Sequence, residues 1–220
     1  MFKLTIVTLA LVCGGMANEN RQEALPEVLV EPYHVSLQDN VNTTVSVGTN
    51  NIIDFGGIPY AIDRAIQHSR QFHGVNNIAL IRLAKPLVYD RFVSHIAYYD
   101  KYVPDNATLT IVVGEFSPTW NTTTVRNLPE VECLSRFRGS YIEAGHLCTV
   151  TEENIGACYG RKGGAVTWQG KLVAVFHSSY GHCGPFYLRN PDVHARVSYY
   201  HDWIRTTMAN NSDEPSTDQV

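Results

Sequence analysis

Residues 155–168 read I-G-A-C-Y-G-R-K-G-G-A-V-T-W, and they decide how the rest of the chain is interpreted. Three glycines and one cysteine fall within the eight residues 158–165. Glycine at this density is typical of a tight loop whose backbone N–H groups can point at a bound oxygen atom. An apolar strand pattern follows at 165–168, then a Gln-Gly turn and a second strand pattern at 171–176. The segment therefore predicts a glycine-rich loop that leads into two strands joined by a turn.

The composition is that of a globular protein. The chain has 220 residues, a formal net charge of -4 and 44% hydrophobic residues. This apolar content is sufficient for the core of one large domain or two small ones. The chain is not basic enough to indicate nucleic-acid binding, and we expect neither a cofactor nor a metal ion.

The N-terminus has the pattern of a secretory signal peptide. Residues 1–17 contain Lys3, an apolar run over 4–12, and the small residues Gly15 and Ala17 at a plausible cleavage site. No later stretch is apolar enough to cross a bilayer. We therefore expect a secreted, extracellular protein that is not attached to a membrane.

Four cysteines remain after removal of the signal peptide, and an even number in an exported chain predicts two disulfides. They are Cys133, Cys148, Cys158 and Cys183. Four cysteines allow three pairings, and the residues alone do not choose among them. A zinc site formed by Cys183, His182 and His177 is the alternative, but its ligands would be crowded on one loop without the paired spacing of structural zinc sites.

Four N-x-[ST] triplets predict N-linked glycosylation in an exported chain. Their acceptor residues are Asn42, Asn106, Asn121 and Asn210. Such triplets also arise by chance, and we expect at least two of the four to carry sugar.

Several segments resemble the chymotrypsin-like and trypsin-like serine proteases. The glycine-rich loop is similar to their nucleophile loop, C-x-G-D-S-G-G-P, except that Arg161 replaces the aspartate and Lys162 the attacking serine. Residues 32–38 resemble the P-Y-x-V-S-L-Q strand, 77–83 resemble D-I-A-L-I-x-L, and 191–197 resemble P-x-V-x-x-R-V. The resemblance extends as far as Met208.

The resemblance implies an all-β fold of two antiparallel six-stranded β-barrels and a C-terminal α-helix. Many short strands with frequent turns fit this class. The family segment that carries the catalytic histidine is missing after Gln38, so we expect a truncated first barrel. Further strands are expected at 44–51, 58–66, 92–96 and 109–114, whereas 120–132 is interpreted as a polar connection.

The expected organisation combines the signal peptide, a serine protease-like domain and a tail. The parts are a signal peptide at 1–17, an N-terminal segment at 18–31, a domain at 32–208 with barrels at about 32–115 and 116–208, and a disordered tail at 209–220. Helical spacing of Val197, Tyr200, Ile204 and Met208 predicts the closing helix.

The resemblance also assigns the disulfides and the catalytic positions. It pairs Cys133 with Cys148, and Cys158 with Cys183. A triad needs a hydroxyl nucleophile, an imidazole and a carboxylate, and at the matching positions the chain has Lys162, a missing segment and Asn77. We therefore expect all three triad positions to be vacant.

Parts of the surrounding site also have counterparts in the chain. The backbone N–H groups of Gly160 and Lys162 resemble an oxyanion hole. Gly156 stands where trypsin-like members keep an acidic residue, and His177, Ser178 and Ser179 replace the usual S-W-G. We therefore expect a pocket without an acidic floor, which would prefer apolar or acidic groups.

Other interpretations of these residues remain open. Arg161 and Lys162 on a loop of N–H groups form a candidate site for a carboxylate, sulfate or phosphate. A hydrolase that pairs Lys162 with Ser178 or Ser179 is a less favoured alternative. The histidines outside the pocket are interpreted as surface or capped residues, namely His34, His68, His73, His95, His146, His194 and His201.

Together these features predict a secreted serine protease homologue that is not an enzyme and that acts by binding an extracellular protein. The partner would be a protease, an inhibitor or a substrate in immunity, digestion or feeding. Residues 197–204 are similar to the closing segment of inactive homologues that are common in arthropods. The alternative is a truncated isoform or a decaying copy of a trypsin- or chymotrypsin-like endopeptidase.

Overall fold

The structure is a computed structural model that describes residues 8–9, 36–38, 44–49, 57–71, 75–113, 121–137, 142–153, 156–157, 162–179 and 190–211. The strands in these ranges are β1 (Thr8–Leu9), β2 (Ser36–Gln38), β3 (Thr44–Val47), β4 (Ile58–Gln67), β5 (Ala79–Leu83), β6 (Thr108–Val113), β7 (Asn121–Asn127), β8 (His146–Val150), β9 (Ala165–Trp168), β10 (Lys171–Ser179) and β11 (Asp192–Arg196). The helices are α1 (Glu130–Arg136), a 3-10 turn (Val197–Tyr200) and α2 (His201–Asn210). None of these helices is long and apolar enough to cross a membrane.

Six strands form a closed barrel in the order β10-β11-β8-β7-β6-β9. β6 pairs with β7 along its whole length and with β9 at Thr110 and Ile111. Alternation along β6 buries Leu109 and Ile111 in the barrel interior. Because β6 belongs to this barrel, the second barrel starts before residue 116, which is earlier than the sequence predicts.

The other five strands form an open sheet in the order β1-β5-β4-β3-β2. The pairings of β2 with β3, β3 with β4 and β4 with β5 are antiparallel. β1, which lies within the predicted signal peptide, runs parallel to β5. A mostly β fold with one closed barrel and a second, open sheet confirms the predicted fold class and the truncation of its first half.

The open sheet is fixed to the closed barrel through one shared hydrophobic cluster. Ile78 lies just before β5 and Leu80 lies within it. Both are buried with Val175 of β10 and with Tyr200 and Ile204 at the C-terminal helix. The helix therefore covers the junction of both sheets and stabilises the half of the molecule that lacks a closed barrel of its own.

Three predicted elements differ from the structure. Residues 92–96 form no strand, since only an isolated bridge joins Asp90 to Val93. The polar connection at 121–127 is strand β7, with Val125 and Asn127 buried. Helix α2 extends to Asn210, two residues into the predicted tail, and 212–220 lie outside the described residues.

Cys133 on α1 and Cys148 on β8 form a disulfide, as the family resemblance implies. Both cysteines are buried in a cluster with Leu128, Phe137 and Val150. The other predicted pair, Cys158 and Cys183, lies outside the described residues.

Replacing both Cys133 and Cys148 with serine is expected to lower the free energy of unfolding by about 3 kcal/mol, because the bridge closes a loop with a sequence separation of 15. Urea unfolding followed by circular dichroism measures the loss. Leu134→Ala, at an exposed position on the same helix, is the control and should cost less than about 0.5 kcal/mol. Equal losses in the two proteins would show that the bridge does not stabilise the barrel.

Candidate functional site

The described end of the glycine-rich loop is tied to strand β10 by two backbone hydrogen bonds. The N–H of Gly163 donates to the carbonyl oxygen of Phe176 at 2.9 Å, and the N–H of Phe176 donates to that of Gly164 at 2.8 Å. Gly163 has a φ of 81°, in the left-handed region that favours glycine. The side chain of Lys162 is exposed at the start of this turn.

The predicted site residues are only partly placed by the structure. Gly160 and Arg161 lie outside the described residues, so Lys162 is the described half of the oxyanion-hole-like pair. Asn77 is buried two residues before the start of β5 in the open sheet, whereas Lys162 precedes β9 in the closed barrel. The backbones of Ser178 and Ser179 end strand β10.

Two segments that are far apart in sequence meet at Gly156, the predicted pocket position, and we call this contact the pocket floor. A Cβ atom added to Gly156 would lie 2.6 Å from Oδ1 of Asp192 and 3.0 Å from the carbonyl oxygen of Asn190. The other carboxylate oxygen, Oδ2, accepts a hydrogen bond from the N–H of Ala157 at 2.6 Å. Asp192 is 0% exposed. The prediction of a pocket without an acidic floor is therefore wrong, because β11 supplies a carboxylate to the space that the glycine leaves.

Three histidines on neighbouring strands, His146 on β8, His177 on β10 and His194 on β11, form what we call the histidine cluster. The rings of His146 and His177 are stacked, with centroids 6.1 Å apart and an interplanar angle of 14°. His194 is 0% exposed, and its Nε2 lies 2.7 Å from Oγ1 of Thr149. His146 and His194 are therefore buried and not on the surface, but each ring makes a hydrogen bond, as the alternative of a capped histidine requires. The register places the two side chains on opposite faces of the sheet.

Burial disfavours the charged form of two members of the cluster. Burial, together with the charges of His146 and Lys162, lowers the pKa of His177 to about 4. Burial, together with the charges of His177 and His146, lowers the pKa of His194 to about 3. Both imidazoles are therefore neutral at pH 7, and the charge on Lys162 acts on the cluster.

A histidine and an aspartate of the kinds used in a triad do lie on adjacent strands, so the prediction that all three positions are lost is not supported as stated. They are His146 on β8 and Asp192 on β11. The register sets His146 opposite Ala195 and Asp192 opposite Thr149, a separation of three residues or about 10 Å along the strands. Nδ1 of His146 accepts a hydrogen bond from the N–H of Glu143 at 3.0 Å.

The remaining predicted sites concern metal ions and sugars. Among the described residues, no group of three His, Cys, Asp or Glu side chains is arranged to hold a metal ion. His182 and Cys183 of the alternative zinc site lie outside the described ranges, as does Asn42. Three predicted glycosylation acceptors are exposed, and their modification stays a prediction; they are Asn106, Asn121 and Asn210.

Comparison with known proteins gives consistent matches over most of the chain. The family model described as Trypsin matches residues 26–204. Serine protease SP24D of Anopheles gambiae is 28% identical over 203 residues, which cover 90% of this chain and 73% of that protein. Trypsin-2 of Salmo salar is 27% identical over 209 residues, which cover 90% of this chain and 85% of that protein.

A solved structure has a similar fold. It is that of neuropsin, a serine protease expressed in the limbic system of mouse brain, and it superimposes with a TM-score of 0.66. The alignment covers 77% of this chain and 80% of the neuropsin chain at 20% identity. At this identity the likeness concerns the fold alone.

Proposed function

The chain belongs to the trypsin family of serine proteases, and on that premise we propose that it binds an extracellular protein without cleaving it. The observation that carries the proposal is Lys162, whose exposed side chain occupies the position that matches the attacking serine. A solvent-exposed lysine is a weak nucleophile, because activation requires burial or a neighbouring base.

The geometry of His146 and Asp192 also supports a non-hydrolytic role. In a working triad, Nδ1–H of the histidine donates to the carboxylate, and Nε2 removes the proton from the nucleophile. Nδ1 of His146 instead accepts from a backbone N–H, so the proton of the neutral ring lies on Nε2. The Asp192 carboxylate accepts from the N–H of Ala157. This tautomer cannot act as a general base at Nε2.

The burial of the pocket floor also favours a partner that binds to the surface of the protein over a substrate that is cleaved in a cleft. The described residues around the floor are buried; they are Gly156, Phe176, Asp192 and His194. A substrate side chain could reach the Asp192 carboxylate only after these residues moved. We therefore place the binding surface on the exposed rim around Lys162, with a protease, an inhibitor or a protease substrate as partner.

An extracellular location is part of the proposal. Residues 1–17 have the composition of a secretory signal. The disulfide between Cys133 and Cys148 is of the kind that persists in oxidising compartments. The exposed Asn106, Asn121 and Asn210 are accessible to glycosylation.

The test is reaction of the purified, disulfide-bonded protein with a fluorophosphonate probe and with casein. We expect neither stoichiometric labelling nor casein hydrolysis, since a residual oxyanion hole gives only about 10³–10⁴-fold over water. Lys162→Ser is expected to remain inactive, because the added hydroxyl has no general base. Stoichiometric labelling of the wild type, or casein hydrolysis that disappears in Lys162→Ala, would contradict the proposal.

The second candidate is a truncated or decaying copy of an endopeptidase. The open sheet favours it, because seven of the ten residues of β4 are exposed, including Ile58, which is 50% exposed. The two candidates differ in whether this sheet is stably folded, which hydrogen exchange of residues 44–67 measures.

A further inference from the structure

The histidine cluster contains two buried ring nitrogens that make no hydrogen bond to any residue that the structure describes. Nδ1 of His177 and Nδ1 of His194 have no hydrogen-bond partner in the part of the chain that the structure describes. A buried ring nitrogen without a partner costs free energy, and a protonated ring in the same place costs more. The cluster is therefore stable only as long as its rings stay neutral.

The cluster lies at an irregular point of the barrel. The pairing of β10 with β11 shifts register between Phe176 and Ser178, so that His177 is the extra residue of a bulge. The neighbouring Phe176 makes both hydrogen bonds that hold Gly163 and Gly164. A movement of His177 is therefore transmitted directly to the loop that carries Lys162.

The charged residues nearest to the cluster lie on the glycine-rich loop, on β11 and just before β8. Lys162 on the loop is positive and acts on His177. From β11, the guanidinium of Arg196 donates from Nε and Nη2 to the carbonyl oxygen of His146 at 3.0 and 2.7 Å. On the same strand, the Asp192 carboxylate accepts from the N–H of Ala157. At the N-terminal end of β8, Glu143 donates its N–H to His146. A proton on His177 would therefore add a second positive charge next to Lys162.

We propose that the histidine cluster makes the closure of the barrel sensitive to acid. When the pH falls, the pairing of β10 with β11 opens and the loop at 162–164 is released. This inference does not depend on the proposed function. In the closed state the ring of His194, on the same face of β11 as Asp192, excludes water from the pocket floor. In the open state they are hydrated and take up protons, and the Asp192 carboxylate becomes accessible to a cationic group.

The direction of the pH dependence follows from the two lowered pKa values. Lowered pKa values mean that the open state binds more protons than the closed state below pH 6.5. The closed state is therefore fully favoured above pH 6.5 and loses stability as the pH falls toward about 4 for His177 and about 3 for His194. If both rings regain a pKa of about 6.5 on opening, the opening equilibrium rises by several hundredfold, on the order of 500, between pH 7 and pH 5.

Hydrogen exchange of the full-length protein at pH 7 and pH 5 tests the closure, with labelling times scaled for intrinsic exchange. We expect protection of β10 and β11 to fall by about 500-fold more than that of β6 and β7. The double variant His177→Ser, His194→Phe should lose this difference, and His95→Gln, at an exposed histidine, should keep it. An equal fall in all four strands of the wild type would overturn the proposal, as would an unchanged response in the double variant.

An NMR titration of the wild-type histidines provides a readout that does not depend on the folding of variants. Two imidazoles are expected to resist protonation until opening occurs, well below pH 6. If every histidine titrates near pH 6.5 while the barrel stays protected, the closure is not proton-sensitive and the proposal fails.

Discussion

Leu80→Ala is expected to lower the free energy of unfolding by about 3 kcal/mol and to remove hydrogen-exchange protection from the open sheet first. Leu80 is 4% exposed on β5, in the cluster that joins this sheet to Val175, Tyr200 and Ile204. Shortening this side chain to alanine leaves a cavity at the junction of the two sheets. Since the open sheet has no closed barrel of its own, loss of this contact should release β3 and β4 before the closed barrel.

Hydrogen exchange read by mass spectrometry compares peptides covering 44–67 with peptides covering 165–179. Val88→Ala is the matched control, because Val88 is 70% exposed and lies in the same half of the molecule. It should change stability by less than about 0.5 kcal/mol. Near-free exchange of residues 44–67 in the wild type would instead favour the second candidate, in which the chain is a truncated or decaying copy of an endopeptidase.

The second large effect is expected at the pocket floor. Asp192→Ala should cost about 3 kcal/mol, because it leaves the N–H of Ala157 without this acceptor and opens a cavity beside Gly156. Asp192→Asn keeps the shape and an acceptor oxygen, so it should cost clearly less. Chemical unfolding of both variants at pH 7 measures the difference.

A third variant, Asp202→Ala, is the control for the general effect of removing a negative charge. It removes an exposed carboxylate from the first turn of α2 and should lower the free energy of unfolding by less than about 1 kcal/mol. If Asp192→Ala costs no more than Asp202→Ala, the carboxylate does not hold the pocket floor, and the pocket is organised by residues other than Asp192.

The elements that could be predicted from the sequence are those with a strong local pattern. Strands β9 and β10 follow a glycine-rich loop and are separated by a Gln-Gly turn, and Gln169 and Gly170 have φ values of 49° and 71° that suit such a turn. The helix at the C-terminus follows from the spacing of Val197, Tyr200 and Ile204. Local residue order was sufficient in these cases.

The missed elements depend on contacts that the residue pattern of each segment does not reveal by itself. β7 reads N-T-T-T-V-R-N, which has little apolar character, and its strand conformation comes from six paired positions with β6. Phe92 and Val93 have an apolar pattern, but the Asp90 carboxylate accepts from the N–H of Phe92 at 2.7 Å and stabilises a turn there.

The candidate site shows the same limit. The contact between Gly156 and Asp192 arises because the barrel brings β11 next to the residues before the glycine-rich loop. The three histidines of the cluster are isolated in the sequence and meet only across β8, β10 and β11. The resemblance matches position 156 to a pocket position, but it does not reveal the residue that fills the space beside it.

The hydrophobic cluster shared by the open sheet and α2 affects how the chain folds during synthesis. Ile78 and Leu80 leave the ribosome long before Tyr200 and Ile204, which complete the contacts that bury them. Both side chains therefore lack these contacts until the last helix has been translated. Such a chain depends on chaperones during synthesis more than one whose first half folds unaided.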